Sequence, residues 1–347
     1  MKTMQKPAGL KYALLGLAAA ATVAAAPAAQ AKGPVIALSN AYYGNTWRHQ
    51  MVEAFRAAAT EARKKGEISK FIIVNGNGTV NEQMSQVSDL ILRHVNVIAI
   101  DAASDTALNG IIAKACAAGI KVVAFDSIVS APCAYKLDFD FKRYQAAQAR
   151  WIVRKLHGKG NVIVVRGVKG SAPDHDMYTA QMGVLKQHPG IKVVATVYGQ
   201  ATGPVAQAAV SNVLPSLPHV DAVLDQGGGD DYGIAQAFEQ YGGSYATHPP
   251  IIAGGGSANF IHWWAEQAKK TGYQTISMNT TPGIGGAAFW LSLDIAGGAK
   301  APKFMTMPVA TVTQKNLAQY ADLKPGTIVS PSYSRDWVKT HLLSQKP

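Results

Sequence analysis

Short, continuous apolar runs at regular intervals constrain this chain more than any other feature. Val35-Ile36-Ala37-Leu38, Phe71-Ile72-Ile73-Val74, Val97-Ile98-Ala99-Ile100 and Val122-Val123-Ala124-Phe125 each carry four apolar residues without alternation. A strand with one wet face alternates; a strand buried on both faces does not. The stretches between them have helical spacing, as where Val80, Met84, Val87 and Ile91 recur at steps of four, three and four. Strand and helix in strict alternation give right-handed βα units and a parallel, doubly wound sheet.

The pattern then starts again. Val162-Ile163-Val164-Val165, Val193-Val194-Ala195, Ala222-Val223-Leu224 and Ile251-Ile252-Ala253 are the strands of a second set. Tyr135 to Phe141 is an extended join between the sets, and Thr275 to Met278 and Met307 to Thr313 are further extended runs. The expected fold class is therefore α/β, with two doubly wound parallel-sheet lobes joined by crossover strands. The expected division is 32–139 plus about 280–313 for the N-terminal lobe, and 140–279 plus part of the C-terminal segment for the other. Residues 314–347 form a tail without a clear pattern.

Residues 1–31 read as a secretory signal peptide. Lys2, Lys6 and Lys11 precede an apolar run from Tyr12 to Val23, and Ala29-Gln30-Ala31 is a small-x-small cleavage pattern. The run is too short for a membrane anchor. Cleavage near Ala31 implies an exported, periplasmic chain. The full sequence carries a formal charge of +12, and loss of the three leader lysines leaves +9. Lys and Arg are scattered, so this charge reads as solubility and not as a nucleic-acid surface. The two cysteines, Cys116 and Cys133, form an even pair in an oxidising compartment, which favours a disulfide over a metal pair or a reactive thiol.

In a parallel α/β sheet, ligands bind beyond the C-terminal ends of the strands. Those ends are Ser39 to Met51, Asp126-Ser127, Gly170 to Asp176, Tyr198 to Gln200, Asp225 to Tyr232 and Gly254 to Asn259. They are polar or aromatic and come from both sets of strands, as a cleft between lobes requires. The chain has no HExxH, GxSxG or GxxxxGK[ST] motif. Glycines 227, 229 and 233 miss the dinucleotide spacing by one. Asp230-Asp231 and Asp174-His175-Asp176 read first as caps of the helices that follow them. No catalytic residue, metal site or cofactor is expected.

The stretches NGNGTVNEQMSQVSDLI, AGIKVVAFDS and HVDAVLDQGGGDDYGIAQAF, with the exported two-lobed pattern around them, resemble the type I periplasmic substrate-binding proteins of sugar ABC transporters, the ribose- and galactose-binding group. The resemblance runs from Pro34 to about Thr313. It implies a non-catalytic, monomeric receptor that captures a sugar or polyol between its lobes and delivers it to an ABC permease in the inner membrane. The same fold also serves as a periplasmic sensor of a membrane receptor or kinase, a second reading of these residues. Carried over onto this sequence, the resemblance implies that Asn45 binds a hydroxyl, Trp47 stacks on the ligand, Arg48 holds an oxygen, and Asp126 accepts sugar hydroxyls. Asn279 matches a polar position near the hinge. Tyr43, Asp176, Gly227, Asp230 and Asn259 complete the expected ligand-binding set. The second lobe departs from the family pattern: Ala180 stands where an Arg is common, Gly227 where an Asn is common, and Gly255 where an Asp is common. Ser127 replaces the Arg that often follows the Asp, and the aromatic near Ala201 is missing. Sugars present apolar C–H faces and hydroxyl rims, so an aromatic plate flanked by planar donors and acceptors is the chemistry such a ligand needs.

Overall fold

The computed structural model describes Met1, Thr3, Met4 and residues 33–346. The apolar run and cleavage pattern of the leader lie outside the described residues. Among those described, no helix is long and apolar enough to cross a membrane.

The first lobe opens with β1 (Val35–Asn40), α1 (Thr46–Lys64), β2 (Lys70–Asn75), α2 (Val80–Leu92), β3 (Val97–Asp101), α3 (Asn109–Ala117), β4 (Lys121–Phe125) and β5 (Tyr135–Phe139). The chain then passes through Asp140 into α4 (Phe141–Lys155), β6 (Gly160–Arg166), α5 (Ala172–Leu185), β7 (Ile191–Tyr198), α6 (Gly203–Val213), β8 (Ala222–Asp225), α7 (Asp231–Tyr241), β9 (Ile251–Ala253), α8 (Ala258–Thr271) and β10 (Ile276–Asn279). It ends with α9 (Ile284–Ala296), β11 (Phe304–Met307), β12 (Ala310–Thr313) and α10 (Arg335–His341).

Two sheets result. The first has the order β11-β5-β4-β3-β1-β2 with every pairing parallel, and the second has the order β7-β6-β8-β9, also parallel. A parallel bridge between Gly254 and Ser277 carries the second sheet on to β10, which pairs antiparallel with β12. The continuous apolar runs are all strands, and the central ones are fully buried: Val97 to Ile100 and Val162 to Val165 have no exposed surface, while those of the edge strands β2 and β7 are half-buried. Burial on both faces leaves a central strand no position for a polar residue, and the sequence pattern follows from that.

The segment between residues 280 and 313 divides. Helix α9 packs in the first lobe against α1, and β11 adds to the first sheet beside β5, but β12 runs with β10 of the second. Pro308 and Val309 join β11 to β12, where the chain passes from the first sheet to β10. The close approach of α1 and α9 depends on Gly285, where a Cβ would collide with the Met51 carbonyl. The C-terminal residues serve both lobes. Ile328 bridges to Ser257, whereas α10 folds back onto α9, where Arg335 bonds Asp294 and Glu67.

Helix α2 presents a face one step away from that expected. Gln83, Val87 and Leu90 are buried, while Met84 is 39 % exposed. Gln83 replaces an apolar residue because three backbone groups converge on it. Its amide donates to the Asp101 carbonyl at 2.9 Å and the Ser39 carbonyl at 3.4 Å, and its Oε1 accepts from Ala103 N–H at 2.7 Å. Cys116 and Cys133 form a disulfide with Cα atoms 6.5 Å apart, tying the end of α3 to the loop before β5.

Candidate binding cleft between the lobes

The C-terminal ends of β1 and β4 deliver the polar wall of the first lobe. Asn45 caps α1, its Oδ1 accepting from Arg48 N–H at 2.8 Å. This cap fixes the first helical turn and aims two side chains inward. Trp47 is 5 % exposed and donates its indole N–H to the Thr280 carbonyl at 3.1 Å. Arg48 is 9 % exposed; it pairs with Asp101 behind it, lies 3.5 Å from Asp126, and donates to Asn40 Oδ1 at 3.3 Å. Asp126 follows β4 with φ +57°, a left-handed conformation that Asp tolerates better than most residues. Its backbone N–H bonds the Leu137 carbonyl at 3.1 Å, holding the turn in that shape.

Burial dominates the electrostatics here. It pushes the Asp126 carboxyl above the ordinary range, with Arg48 opposing, and it weakens the hold of Arg48 on its proton, with Asp126 opposing. Arg48 and Asp126 are the charged side chains lining the central chamber, so its wall carries one cation facing one anion.

The second lobe closes this chamber with a different chemistry. Met177, Val168, Pro173 and Ala201 give an apolar surface, and Gly227 and Gly228 give bare backbone. Tyr144 and Thr280 stand beside the crossovers, with the Tyr144 hydroxyl donating to Met177 Sδ at 3.0 Å. Gln226 positions this wall. Its Oε1 accepts from Gly167 N–H at 2.7 Å and its amide donates to the Asp174 carbonyl at 3.2 Å, joining the loops after β6 and β8. Gly227 has φ +88°, and a Cβ there would lie 2.8 Å from the Gly255 Cα. The two glycines that stand where side-chain contacts are common therefore pack their backbones on one another. The space enclosed is about 70 Å³.

The expected site residues separate into groups. Asn45, Trp47, Arg48, Asp126 and Gly227 all line the central chamber. Asp176 lies at the rim of a wider vestibule, 3.1 Å from Lys142. Tyr43 packs its ring against His49 at a tilt of 39°, with centroids 4.1 Å apart. Asn259 faces a separate depression and accepts from Gly326 N–H at 2.9 Å. Asn279 is 2 % exposed and donates to the carbonyls of Thr280 and Val329 at 2.7 and 3.1 Å, fastening two crossover segments together.

Asp230 lies beneath the glycine loop and not in the chamber. It is fully buried, as is Asp225, and neither carboxyl accepts a hydrogen bond from a donor group among the described residues. Desolvation raises both, with the charge of Asp231 adding to it at Asp225 and the charge of Asp225 adding to it at Asp230: Asp225 reaches about 8, and Asp230 lies well above its ordinary value. The cap position of α7 is Asp230, whose side chain makes no capping bond; Asp231, already in the first turn, accepts from Tyr232 N–H at 2.9 Å through Oδ1 and from Ser257 N–H at 3.0 Å through Oδ2. Likewise Ser171 caps α5, not the acids after it, and Asp174 instead grips Arg166. Among the described residues no grouping of three or more His, Cys, Asp or Glu side chains could hold a metal ion.

Gln226, Tyr144, Met177 and Thr280 were not anticipated. Gln226 directly follows a strand run, which marks it as a cleft position, but its glutamine chemistry alone did not separate it from the polar loop. Tyr144 and Met177 lie within helices and had no local signal.

A family model described as the periplasmic binding protein domain matches residues 36–300. The multiple sugar-binding periplasmic receptor ChvE of Rhizobium radiobacter is 31 % identical over 205 residues, covering 52 % of this chain and 56 % of that protein. The xylitol-binding protein of Mycolicibacterium smegmatis is 27 % identical over 180 residues, covering 51 % of each. The chain thus spans about half the length of these relatives. Among solved structures, an ABC transporter solute binding protein from Thermobispora bispora superposes with a TM-score of 0.82 at 38 % identity, covering 89 % of this chain and 94 % of that one. A solute binding protein from Bacillus halodurans with bound myo-inositol shares the fold, with a TM-score of 0.72 at 20 % identity over 84 % of this chain and 98 % of that one. The matched stretch takes in the second sheet, the first sheet apart from β11, and all the residues that line the chamber, and the chain belongs to the periplasmic binding protein domain family.

Proposed function

We propose that this protein is the periplasmic substrate-binding component of an ABC transporter, and that it captures a sugar or polyol in the chamber between its lobes for delivery to an inner-membrane permease. The observation that carries this reading is the composition of the chamber wall. An aromatic ring, Trp47, stands beside a buried Arg48–Asp126 pair, and the opposite lobe supplies apolar side chains and backbone. A polyol needs this combination: a plate for its C–H face, and a donor fork and an acceptor for its hydroxyls. A charged ligand would meet one cation already neutralised by two carboxylates, Asp101 and Asp126.

The relatives named for multiple sugars and for xylitol support a neutral polyhydroxyl ligand. In this reading the protein binds and releases without chemistry, is exported by cleavage near Ala31, and acts as a monomer. The N-terminal lobe comprises 33–139, 284–307 and 330–346, and the other lobe 141–279 and 310–329. Closure is a hinge motion about the segments joining them.

A thermal-shift screen of residues 32–347 against sugars, polyols, sugar acids and sugar phosphates tests the proposal. Micromolar binding corresponds to about 8 kcal/mol and gives a measurable shift at millimolar ligand. A shift with neutral sugars or polyols is the expected result. A response confined to sugar acids or phosphates, or no response at all, defeats it.

A further inference from the structure

The central chamber does not end at its own walls. Asp126, Phe141, Ser171 and Pro173 also line a second space of about 640 Å³, so the two form one continuous cleft. A volume of that size lies within the range of roughly 300–1,000 Å³ that holds a ligand far larger than one sugar ring. The vestibule lies beside a direct contact between the lobes. Gln50 of α1 already accepts from Ile328 N–H at 2.9 Å and donates to its carbonyl at 3.0 Å, and Ile328 is tied to the second lobe through Ser257. The buried cluster around Trp47 and Phe125 likewise takes in Met177 of α5. The lobes are in contact, and the vestibule persists beside that contact.

Its walls are built, and they come from both lobes. On the second lobe, Arg166 is held by Asp174 at 2.9 and 2.8 Å through Nε and Nη2, with its guanidinium 4.2 Å and 4.8 Å from the ring centres of Tyr178 and Tyr198. A guanidinium gripped on one edge and packed against two rings keeps a fixed orientation. Its Nη1 makes no hydrogen bond among the described residues, which leaves an oriented donor at the vestibule. On the first lobe, Asp138 faces the same space. One carboxyl oxygen accepts from Phe139 N–H at 2.8 Å, and burial raises the group to about 8, so that near neutral pH much of it is protonated and has both a donor and an acceptor to offer. Arg166 pairs with Asp174 and Lys142 with Asp176, while Lys136, Lys169 and Asp105 line the space without an ion pair among the described residues. Donors and acceptors therefore face the vestibule together, as the rim of a hydroxyl-rich group requires.

Resting on the reading of the central chamber as a sugar or polyol site, we infer that the vestibule is a second subsite, and that the preferred ligand is a disaccharide or glycoside whose outer unit lies between Arg166 and Asp138. The inner unit occupies the chamber at Trp47, and the glycosidic bond passes Asp126, Phe141 and Pro173.

Titration calorimetry on residues 32–347 with matched probes tests this: D-xylose with xylobiose, D-glucose with maltose and with cellobiose, and D-galactose with melibiose. At least one disaccharide should bind about tenfold or more tighter than its parent sugar, the gain expected of one or two added hydrogen bonds. Asp138→Ala and Tyr198→Ala should each remove most of that gain and leave the affinity for the parent sugar within about twofold. Arg166→Lys should also reduce it, because an ammonium does not reproduce the fixed fork. Parent sugars binding as well as or better than every disaccharide would overturn the subsite and leave the chamber assignment standing. Loss of parent and disaccharide affinity together in the Asp138 and Tyr198 variants would also overturn it. Failure of all the probes would remove both.

Discussion

Trp47 donates its indole N–H to the carbonyl of Thr280, 3.1 Å away and 233 residues later in the chain. The ring that lines the chamber is thereby fixed to the segment on which the lobes join. It is also a core residue, 5 % exposed and packed in the same cluster as Phe55, Phe125 and Trp290. Trp47→Ala should therefore lower stability as well as binding, by about 3–5 kcal/mol in denaturant unfolding. Trp47→Phe keeps a ring and loses the hydrogen bond, at about 1 kcal/mol. An unchanged unfolding midpoint in Trp47→Ala would show that the indole is a free plate and not a structural pin.

Asp126 separates conformation from charge. Its left-handed backbone is held by the Leu137 carbonyl, and its carboxyl faces Arg48 across 3.5 Å. Asparagine adopts the same backbone and preserves the shape. Asp126→Asn should fold normally, because Asp101 still balances Arg48. Its affinity for the best ligand from the thermal-shift screen should fall about 10- to 100-fold, the value of a charge-assisted hydrogen bond. Calorimetry and a thermal melt on one preparation read both quantities.

The degree to which such features were legible followed the range of the interactions. Buried parallel strands impose continuous apolar runs on a few adjacent residues, so the strands were visible locally; strand ends then marked Ser39 to Met51 and Asp126-Ser127, and the family resemblance singled out Asn45, Trp47, Arg48 and Asp126 within them. Asp230 looked the same as a cleft residue because exposed and buried acids are written alike; its burial beside Asp225 depends on packing that no short window contains. The segments joining the lobes were harder still. Asn279 meets Val329 across 50 positions, Trp47 meets Thr280 across 233 and Gln50 meets Ile328 across 278, and no periodicity records those.

The buried Asp225–Asp230 pair gives stability a pH slope. An ordinary Asp releases its proton near 3.8, whereas Asp225 does so at about 8. Between those values the unfolded chain has lost this proton and the folded chain keeps it. Folding then takes up protons, so stability falls as pH rises from about 4 to about 8 and levels off above. Asp138, also raised to about 8, acts in the same direction. Each such group contributes at most about 1.4 kcal/mol per pH unit. Melting temperatures between pH 5 and pH 8 should decline in the natural chain. Asp225→Asn, neutral throughout, should decline less steeply and be the more stable of the two at pH 8. Parallel slopes would mean that the pair is ionised in the folded state.

The Cys116–Cys133 disulfide closes a short loop, with a sequence separation of 17. Such a crosslink stabilises by about 3 kcal/mol on the chain-entropy model. Melts with and without a reductant should differ accordingly, and a Cys116→Ala/Cys133→Ala double variant should match the reduced protein and be insensitive to reductant.

Arg335 decides whether the last helix is part of the fold or an ornament on it. Its Nε and Nη2 both donate to Asp294 Oδ1, at 2.8 and 2.7 Å, and its Nη1 donates to Glu67 at 2.8 Å. Asp294 is 6 % exposed on α9, which in turn packs on α1, the helix carrying Trp47 and Arg48. Removing the guanidinium leaves that carboxylate buried without its cation, an arrangement that costs about 3–5 kcal/mol. Arg335→Ala should therefore destabilise strongly, and Asp294→Asn in the same chain should recover part of the loss because a neutral amide needs no counter-charge. If α10 were merely appended, the single variant would unfold at the natural midpoint and the second substitution would restore nothing. The cycle of single and double variants separates these outcomes, since only a true pair gives a coupling energy above about 0.5 kcal/mol.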